Sequence, residues 1–167
     1  MVKIASLLLV AGFVFLACKQ KQQEASDMTV PDPVALQVNE YPDIILRSEN
    51  GEQISAKQLT GNNVFILFQP DCDHCQEEAV QIEQRLEEFK DYTLYFISSA
   101  PMESIVAFSK SFGLNSKENV KFAWTATEGV LTYYGPIQTP SVYVYSDGHL
   151  KGSFNGQTEI DNILNML

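Results

Sequence analysis

A pair of closely spaced cysteines between an expected strand and an expected helix constrains the fold of this sequence most strongly. Val64 to Phe68 is an unbroken apolar run rich in strand formers, typical of a central strand covered on both faces. It leads through Gln69, Pro70 and Asp71 into Cys72, Asp73, His74 and Cys75. Apolar residues then recur at spacings of three and four, which predicts an amphipathic helix with one buried face: Cys75, Ala79, Ile82, Leu86 and Phe89.

The pattern downstream predicts further alternation of strands and helices. Tyr92 to Ser98 is a second expected buried strand. Helical spacing follows in Ile105, Phe108 and Phe112, and Gly113 marks the end of that helix. Strand, helix, strand and helix in this order imply parallel strand pairing through crossovers. Val120 to Trp124 fits either a short strand or a connector.

Two hairpins are expected to complete the sheet. The first joins Ile44–Leu46 to Gln53–Ile54 through an Asn50-Gly51 turn. The second joins Ser141–Tyr145 to Leu150–Phe154 through Asp147-Gly148. The sequence therefore predicts an α/β fold with a mixed central sheet, helices on both faces and an added N-terminal β-hairpin.

Two shorter helices are expected in the second half of the chain. One starts at Thr127 and is stopped by Gly135 and Pro136. The other closes the chain, with Thr158 and Asp161 in the spacing of a capping box.

Cys72 and Cys75 are the candidate catalytic residues. Two intervening residues at a helix start place both sulfurs on nearly the same side of the first turn, within reach of a disulfide. The positive end of the helix dipole favours a thiolate at Cys72, which can attack a foreign disulfide. Cys75 lies on the inward face, where it is expected to attack the mixed disulfide and release the partner.

Three neighbouring side chains are candidates for tuning these thiols. A protonated His74 would make the disulfide more oxidising, whereas Asp73 acts in the opposite direction. Glu78 lies one turn beyond Cys75 and could accept the proton of the resolving thiol. On spacing alone, a solvated glutamate on the helix surface is an equally good interpretation of Glu78.

Structural roles for the cysteine pair are weaker interpretations. A zinc site needs four ligands, and the sequence offers only His74 and His149 beside the pair, so no metal is expected. A purely structural disulfide with this spacing would close a tiny loop, which contributes little stability. No cofactor is expected beyond a redox-active Cys72–Cys75 disulfide.

Thr139 and Pro140 form a second candidate constellation, directly before the strand Ser141–Tyr145. A trans proline at the start of a strand is the ordinary interpretation. In this context we expect a cis peptide bond.

The N-terminus has the pattern of an export signal. Lys3 precedes a 14-residue apolar run, Ile4 to Ala17, and Cys18 is followed by a polar stretch. The run is shorter than the roughly 20 residues that a transmembrane helix needs. It resembles a bacterial lipoprotein signal, which implies a signal peptide over residues 1–17, lipidation of Cys18 and a polar tether over residues 18–40. A buried N-terminal helix with an incidental cysteine is the alternative.

The charge balance excludes one class of partner. The chain carries 21 acidic and 11 basic side chains, a formal net charge of -10. Nucleic-acid binders cluster Lys and Arg to neutralise phosphates, so no nucleic acid is expected.

Residues 41–167 resemble the thioredoxin fold, and within it the membrane-tethered TlpA/ResA-like thiol-disulfide oxidoreductases. The Cys72–Cys75 motif, Glu78, Thr139-Pro140 and the Ser146–His149 hairpin turn carry this resemblance. It implies a nucleophilic Cys72, a resolving Cys75 and a reactivity-tuning Glu78. It also implies that Pro140 is a cis proline that exposes the Thr139 backbone for docking of substrate. Asp71 and His74 depart from the family's usual aromatic residue and proline.

The resemblance implies a lipid-anchored extracytoplasmic enzyme, on the periplasmic side of a bacterial membrane, that exchanges disulfides with proteins. Such enzymes are typically reductants supplied with electrons by a membrane thiol transporter. One alternative is a peroxiredoxin-like peroxidase, which would need an arginine at the thiol, and the two arginines, Arg47 and Arg85, are not near the motif in sequence. Another is a non-catalytic thioredoxin-like binding lipoprotein.

Overall fold

The computed structural model describes residues 39–167, and strands and helices alternate through most of this range. The strands are β1 (Ile45–Arg47), β2 (Gln53–Ser55), β3 (Asn63–Leu67), β4 (Thr93–Ser98), β5 (Val120–Trp124), β6 (Ser141–Ser146) and β7 (His149–Asn155). The helices are α1 (Asp73–Gln84), α2 (Met102–Ser111), α3 (Thr127–Tyr134) and α4 (Ile160–Leu164).

These strands form one mixed sheet in the order β2-β1-β5-β4-β3-β6-β7. β3 pairs in parallel with β4, and β4 with β5, whereas the remaining pairs are antiparallel. Val64 lies opposite Leu94 on one side and Val144 on the other. β3 is therefore an interior strand of the sheet, one position from its middle strand β4, and the mixed sheet is confirmed.

The core lies on both faces of this sheet. Alternate residues of a strand point to opposite faces, so Val64 and Ile66 face one cluster while Phe65 and Leu67 face the other. The first cluster includes buried residues of α1, α2 and α4, and the second includes Val130 of α3 and the N-terminal hairpin. Helices on both faces are thus confirmed, and β3 is buried along its whole length.

Val120 to Trp124, which the sequence left open, is a strand. It pairs in parallel with β4 from Leu94–Val120 to Ser98–Trp124. The first helix is shorter than the apolar spacing predicted, because α1 ends at Gln84 and Leu86–Phe89 form a 3-10 turn. Phe89 is still fully buried, so the turn keeps the apolar residues directed at the core.

One hairpin turn confirms its prediction from the sequence, and one helix cap contradicts its prediction. Asp147 and Gly148 have φ angles of 49° and 84°, as a two-residue hairpin turn requires. The expected capping box at Thr158 is wrong: α4 begins after Glu159, and the Thr158 hydroxyl accepts a hydrogen bond from the Asn162 side chain at 3.0 Å.

The predicted signal peptide over residues 1–17, the predicted lipidation site Cys18 and nearly all of the expected tether lie outside the described residues. Within residues 39–167, no helix is both long and apolar enough to cross a bilayer.

Candidate active site

Cys72 is the N-cap residue of α1. Its backbone is extended, with φ -90° and ψ 115°, and its N–H donates to Gln69 O at 3.1 Å. Its Sγ accepts the N–H of Cys75 at 3.2 Å. The first turn of the helix therefore directs an amide donor and the positive end of its dipole at the Cys72 sulfur, an arrangement that favours negative charge on it.

Cys75 lies behind Cys72, with only 2% of its surface exposed, whereas Cys72 is partly exposed. Both are free thiols. Burial raises the pKa of Cys75 to about 12, and the hydrogen bond with Cys72 acts in the same direction. The arrangement thus has one accessible and one shielded sulfur, as the predicted division into nucleophile and resolver requires.

The segment before β6 lies against the accessible sulfur. Thr139 O is 3.5 Å from Cys72 Sγ, and the thiol donates to it. The peptide bond between Thr139 and Pro140 is cis, which confirms the conformation expected from the sequence. β6 and the start of α1 are brought together because β6 is the antiparallel neighbour of β3, whose end leads into the cysteines.

Glu78 is buried inside α1, with 2% of its surface exposed. Neither of its carboxyl oxygens has a hydrogen-bond partner among the described residues. Burial raises its pKa to about 8, so the carboxyl is mainly protonated at neutral pH. The interpretation as a solvated surface glutamate is therefore wrong, because Glu78 shares the inward face with Cys75 and Ile82.

The two intervening residues of the motif face solvent. His74 Nδ1 lies 3.6 Å from Glu77 Oε2, and both side chains are largely exposed. Gln157 donates to the same Glu77 oxygen at 2.7 Å, and these contacts lower the pKa of Glu77. The polar contact of His74 is thus with a surface carboxylate, while Asp73 is the exposed first residue of α1.

A cavity of about 250 Å³ next to Thr139 was missed by sequence reasoning. Its polar rim includes Gln69, whose side chain exchanges hydrogen bonds of 3.4 Å with the hydroxyls of Ser98 and Ser99. The lining residues come from four separate segments of the chain, so spacing along any one segment carries no signal for it.

Both arginines lie away from the cysteines. Arg47 stacks over the Trp124 ring at 4.5 Å, in a strand three positions from β3 in the sheet, or about 14 Å at normal strand spacing. Arg85, just beyond the other end of α1, pairs with Glu88 and Asp161. In the described part of the chain, no three acidic, His or Cys residues are grouped so as to hold a metal ion.

Comparison with solved structures identifies the fold. A secreted disulfide oxidoreductase of Mycobacterium tuberculosis, homologous to Escherichia coli DsbE, has a TM-score of 0.61 and 18% identity, over 74% of this chain and 93% of that one. DsbF of M. tuberculosis has the same TM-score and identity over 76% and 94%. A thioredoxin-like protein of Aeropyrum pernix has a TM-score of 0.59 and 10% identity over 74% and 88%. The fold is thioredoxin-like.

The sequence family follows from a match over residues 38–150: the chain belongs to the AhpC/TSA family. No curated protein sequence matches the chain.

Proposed function

We propose that the protein is a lipid-anchored extracytoplasmic thiol-disulfide oxidoreductase of the TlpA/ResA-like type, which reduces disulfides in other proteins. One observation carries the chemistry: the Cys72 sulfur sits at the start of α1, contacting the Cys75 amide and the Thr139 carbonyl, with the Cys75 thiol buried behind it. This arrangement gives an incoming disulfide access to one sulfur only.

The reaction proceeds in two exchanges. The Cys72 thiolate attacks a partner disulfide, forming a mixed disulfide and releasing one partner sulfur, which takes up a proton. Cys75 then loses its proton and attacks Cys72, which releases the second partner sulfur. The partner gains two electrons and two protons, and Cys72–Cys75 becomes the disulfide.

Glu78 is the proposed proton acceptor for Cys75. It lies one turn from Cys75 in the same buried layer, and neither of its carboxyl oxygens has a hydrogen-bond partner in the described residues. With a pKa of about 8, roughly a tenth of Glu78 is ionised at pH 7, and the fraction rises steeply toward pH 9. We therefore expect the resolving step to accelerate over this range.

The reducing direction is proposed from the resemblance to the TlpA/ResA-like enzymes. A strong oxidant stabilises its dithiol form through thiolate-stabilising contacts. Such a contact is present at Cys72, whose Sγ accepts the Cys75 amide at the start of α1, whereas Cys75 is buried, so the reduction potential of the pair is the measurement that decides the direction. A membrane thiol transporter is the proposed source of electrons.

Insulin reduction with dithiothreitol tests the proposed function. The wild-type protein should accelerate turnover, and Cys72→Ala should abolish the acceleration. Cys18→Ala, which leaves the motif untouched, is the matched control and should retain it. Equal activity of wild type and Cys72→Ala would refute an enzymatic role for the pair and favour a binding protein.

The anchor is tested on the mature protein. Mass spectrometry should find a lipidated Cys18 as the first residue, and Cys18→Ala should release the protein from membranes. An intact Met1 would refute the anchor. The secreted M. tuberculosis oxidoreductase with this fold supports an extracytoplasmic location.

A peroxidase remains the second candidate because of AhpC/TSA family membership. The positions of Arg47 and Arg85 argue against it, since neither supports the thiol. Oxidation of the reduced protein by hydrogen peroxide at a rate rivalling disulfide exchange would favour the peroxidase.

A further inference from the structure

The cavity beside Thr139 is apolar over most of its wall. It lies at the carboxyl ends of β3 and β4, beneath α3, and has a volume of about 250 Å³. Its apolar wall is formed by Leu67, Ile97, Val130, Leu131 and Ile137. Ligand sites in α/β folds lie preferentially at the carboxyl ends of the parallel strands.

Thr139 connects this cavity to the reactive sulfur. The residue lines the cavity, and its carbonyl oxygen is 3.5 Å from Cys72 Sγ. Leu131 also lines the cavity and is 47% exposed, although a large apolar side chain gains by burial. A side chain placed in the cavity would therefore belong to a residue close to the cysteine under attack.

The other side of Cys72 is acidic. Asp71 and Asp73 flank it in sequence and are exposed. Asp71 borders a depression against α2, which packs on the sheet face opposite α3. The one histidine of the motif, His74, is engaged with Glu77. An approaching segment thus meets an apolar cavity on one side of the sulfur and uncompensated negative charge on the other.

We propose that the cavity binds a large apolar side chain adjacent to the substrate cysteine, and that Asp71 and Asp73 select a basic residue in the same segment. The substrate class is then a protein disulfide whose cysteine is flanked by apolar and basic side chains. This inference rests on the proposed function, because the exchange itself is the attack of Cys72 on that disulfide. Electrostatic attraction raises the rate of encounter and weakens with salt.

A set of four peptide disulfides tests the proposal without assuming the direction of the bound segment. The peptides are Lys-Phe-Cys-Phe-Lys, Lys-Ala-Cys-Ala-Lys, Glu-Phe-Cys-Phe-Glu and Glu-Ala-Cys-Ala-Glu, each acetylated, amidated and oxidised to its symmetric dimer. The measurement is the second-order rate constant for reduction of each peptide by the fully reduced full-length protein, which supplies the two electrons in a single turnover, at low and high salt. We expect a preference on the order of tenfold for Phe over Ala, as one apolar side chain in a pocket provides. We expect a several-fold preference for Lys over Glu that shrinks at high salt.

Two pairs of variants assign these preferences to the site. Leu131→Gln should reduce the preference for Phe, whereas Leu150→Gln, at a leucine of similar exposure (40%) in β7, should leave it unchanged. Asp71→Asn should reduce the preference for Lys. Asp91→Asn should not reduce it, because this exposed aspartate lies just before β4, at the amino ends of the parallel strands, whereas Cys72 follows the carboxyl end of β3.

The outcomes separate this inference from the proposed function. The inference is overturned, and the oxidoreductase stands, if the wild type reduces insulin but its rate constants for the Phe and Ala peptides differ by less than twofold. A difference of less than twofold between the Lys and Glu peptides has the same consequence. The inference is also overturned if Leu131→Gln and Leu150→Gln have the same effect on the preference for Phe. It is likewise overturned if Asp71→Asn and Asp91→Asn have the same effect on the preference for Lys. If the wild type reduces neither insulin nor any peptide, both the proposed function and this inference are refuted.

Discussion

Burial of the Glu78 carboxyl makes the stability of the folded protein fall as pH rises. Its pKa is about 8 in the folded chain against an ordinary value of 4.5, so the folded state holds a proton that the unfolded state has lost. The contribution is fully present below pH 4.5 and is lost as pH rises through 8. Since one pKa unit corresponds to about 1.4 kcal/mol, the shift from 4.5 to about 8 corresponds to about 5 kcal/mol, of which about 4 kcal/mol falls between pH 5 and pH 9.

Urea unfolding of the reduced protein at pH 5, 7 and 9 measures this loss. Glu78→Gln resembles the protonated acid, so its stability should match the wild type near pH 5 and exceed it by about 4 kcal/mol at pH 9. At ordinary urea slopes this difference moves the unfolding midpoint by about 1 M or more. Glu77→Gln is the matched control, because Glu77 is exposed and its pKa is lowered, so it titrates below this range.

The reasoning is refuted if the stability difference between wild type and Glu78→Gln is the same at pH 5 and pH 9. The thiol of Cys75 does not confuse the comparison, because its pKa is raised above 9 and is common to both proteins. The difference between the two proteins thus isolates the buried carboxyl.

Three further predictions concern the core, the resolving thiol and a turn. Phe68→Ala should cost about 3–5 kcal/mol in urea unfolding, because its buried ring packs among three other phenylalanines; a cost below 1 kcal/mol would contradict this packing. Cys75→Ser should accumulate a mixed disulfide between Cys72 and substrate on non-reducing gels, reversed by dithiothreitol; no adduct would argue against the assigned roles. Gly148→Ala should destabilise more than Gly61→Ala, since both have positive φ but only at Gly148 would the new Cβ meet another atom, at 3.0 Å; equal costs would contradict the contact.

The strands and the position of the cysteines were predictable because they depend on local spacing. An apolar run that passes into a helical repeat places a strand next to a helix start, wherever the segment lies in the molecule. The hairpin at Asp147-Gly148 followed equally from turn chemistry, which acts over two residues. Spacing was less informative where an element ended, and so the helix expected to reach Phe89 stops at Gln84.

The role of a polar side chain on a helix was less predictable than its position. Glu77 and Glu78 are adjacent glutamates, yet one is exposed beside His74 and the other is buried. Their pKa values consequently move in opposite directions. Sequence spacing placed Glu78 near the inward face, but it could not show whether other elements cover that face.

The sequence by itself determined the chemistry of this protein: two thiols at a helix start, separated by two residues, and a Thr-Pro pair before a strand. Only the tertiary structure decided how the surroundings act on that chemistry. It placed the Thr139 carbonyl 3.5 Å from Cys72 Sγ across 67 positions of the chain and formed a cavity from four separate segments. It also excluded water from Glu78 and Cys75. The physical reason is that bonding geometry within a helical turn is local, whereas desolvation depends on every atom that packs around a group.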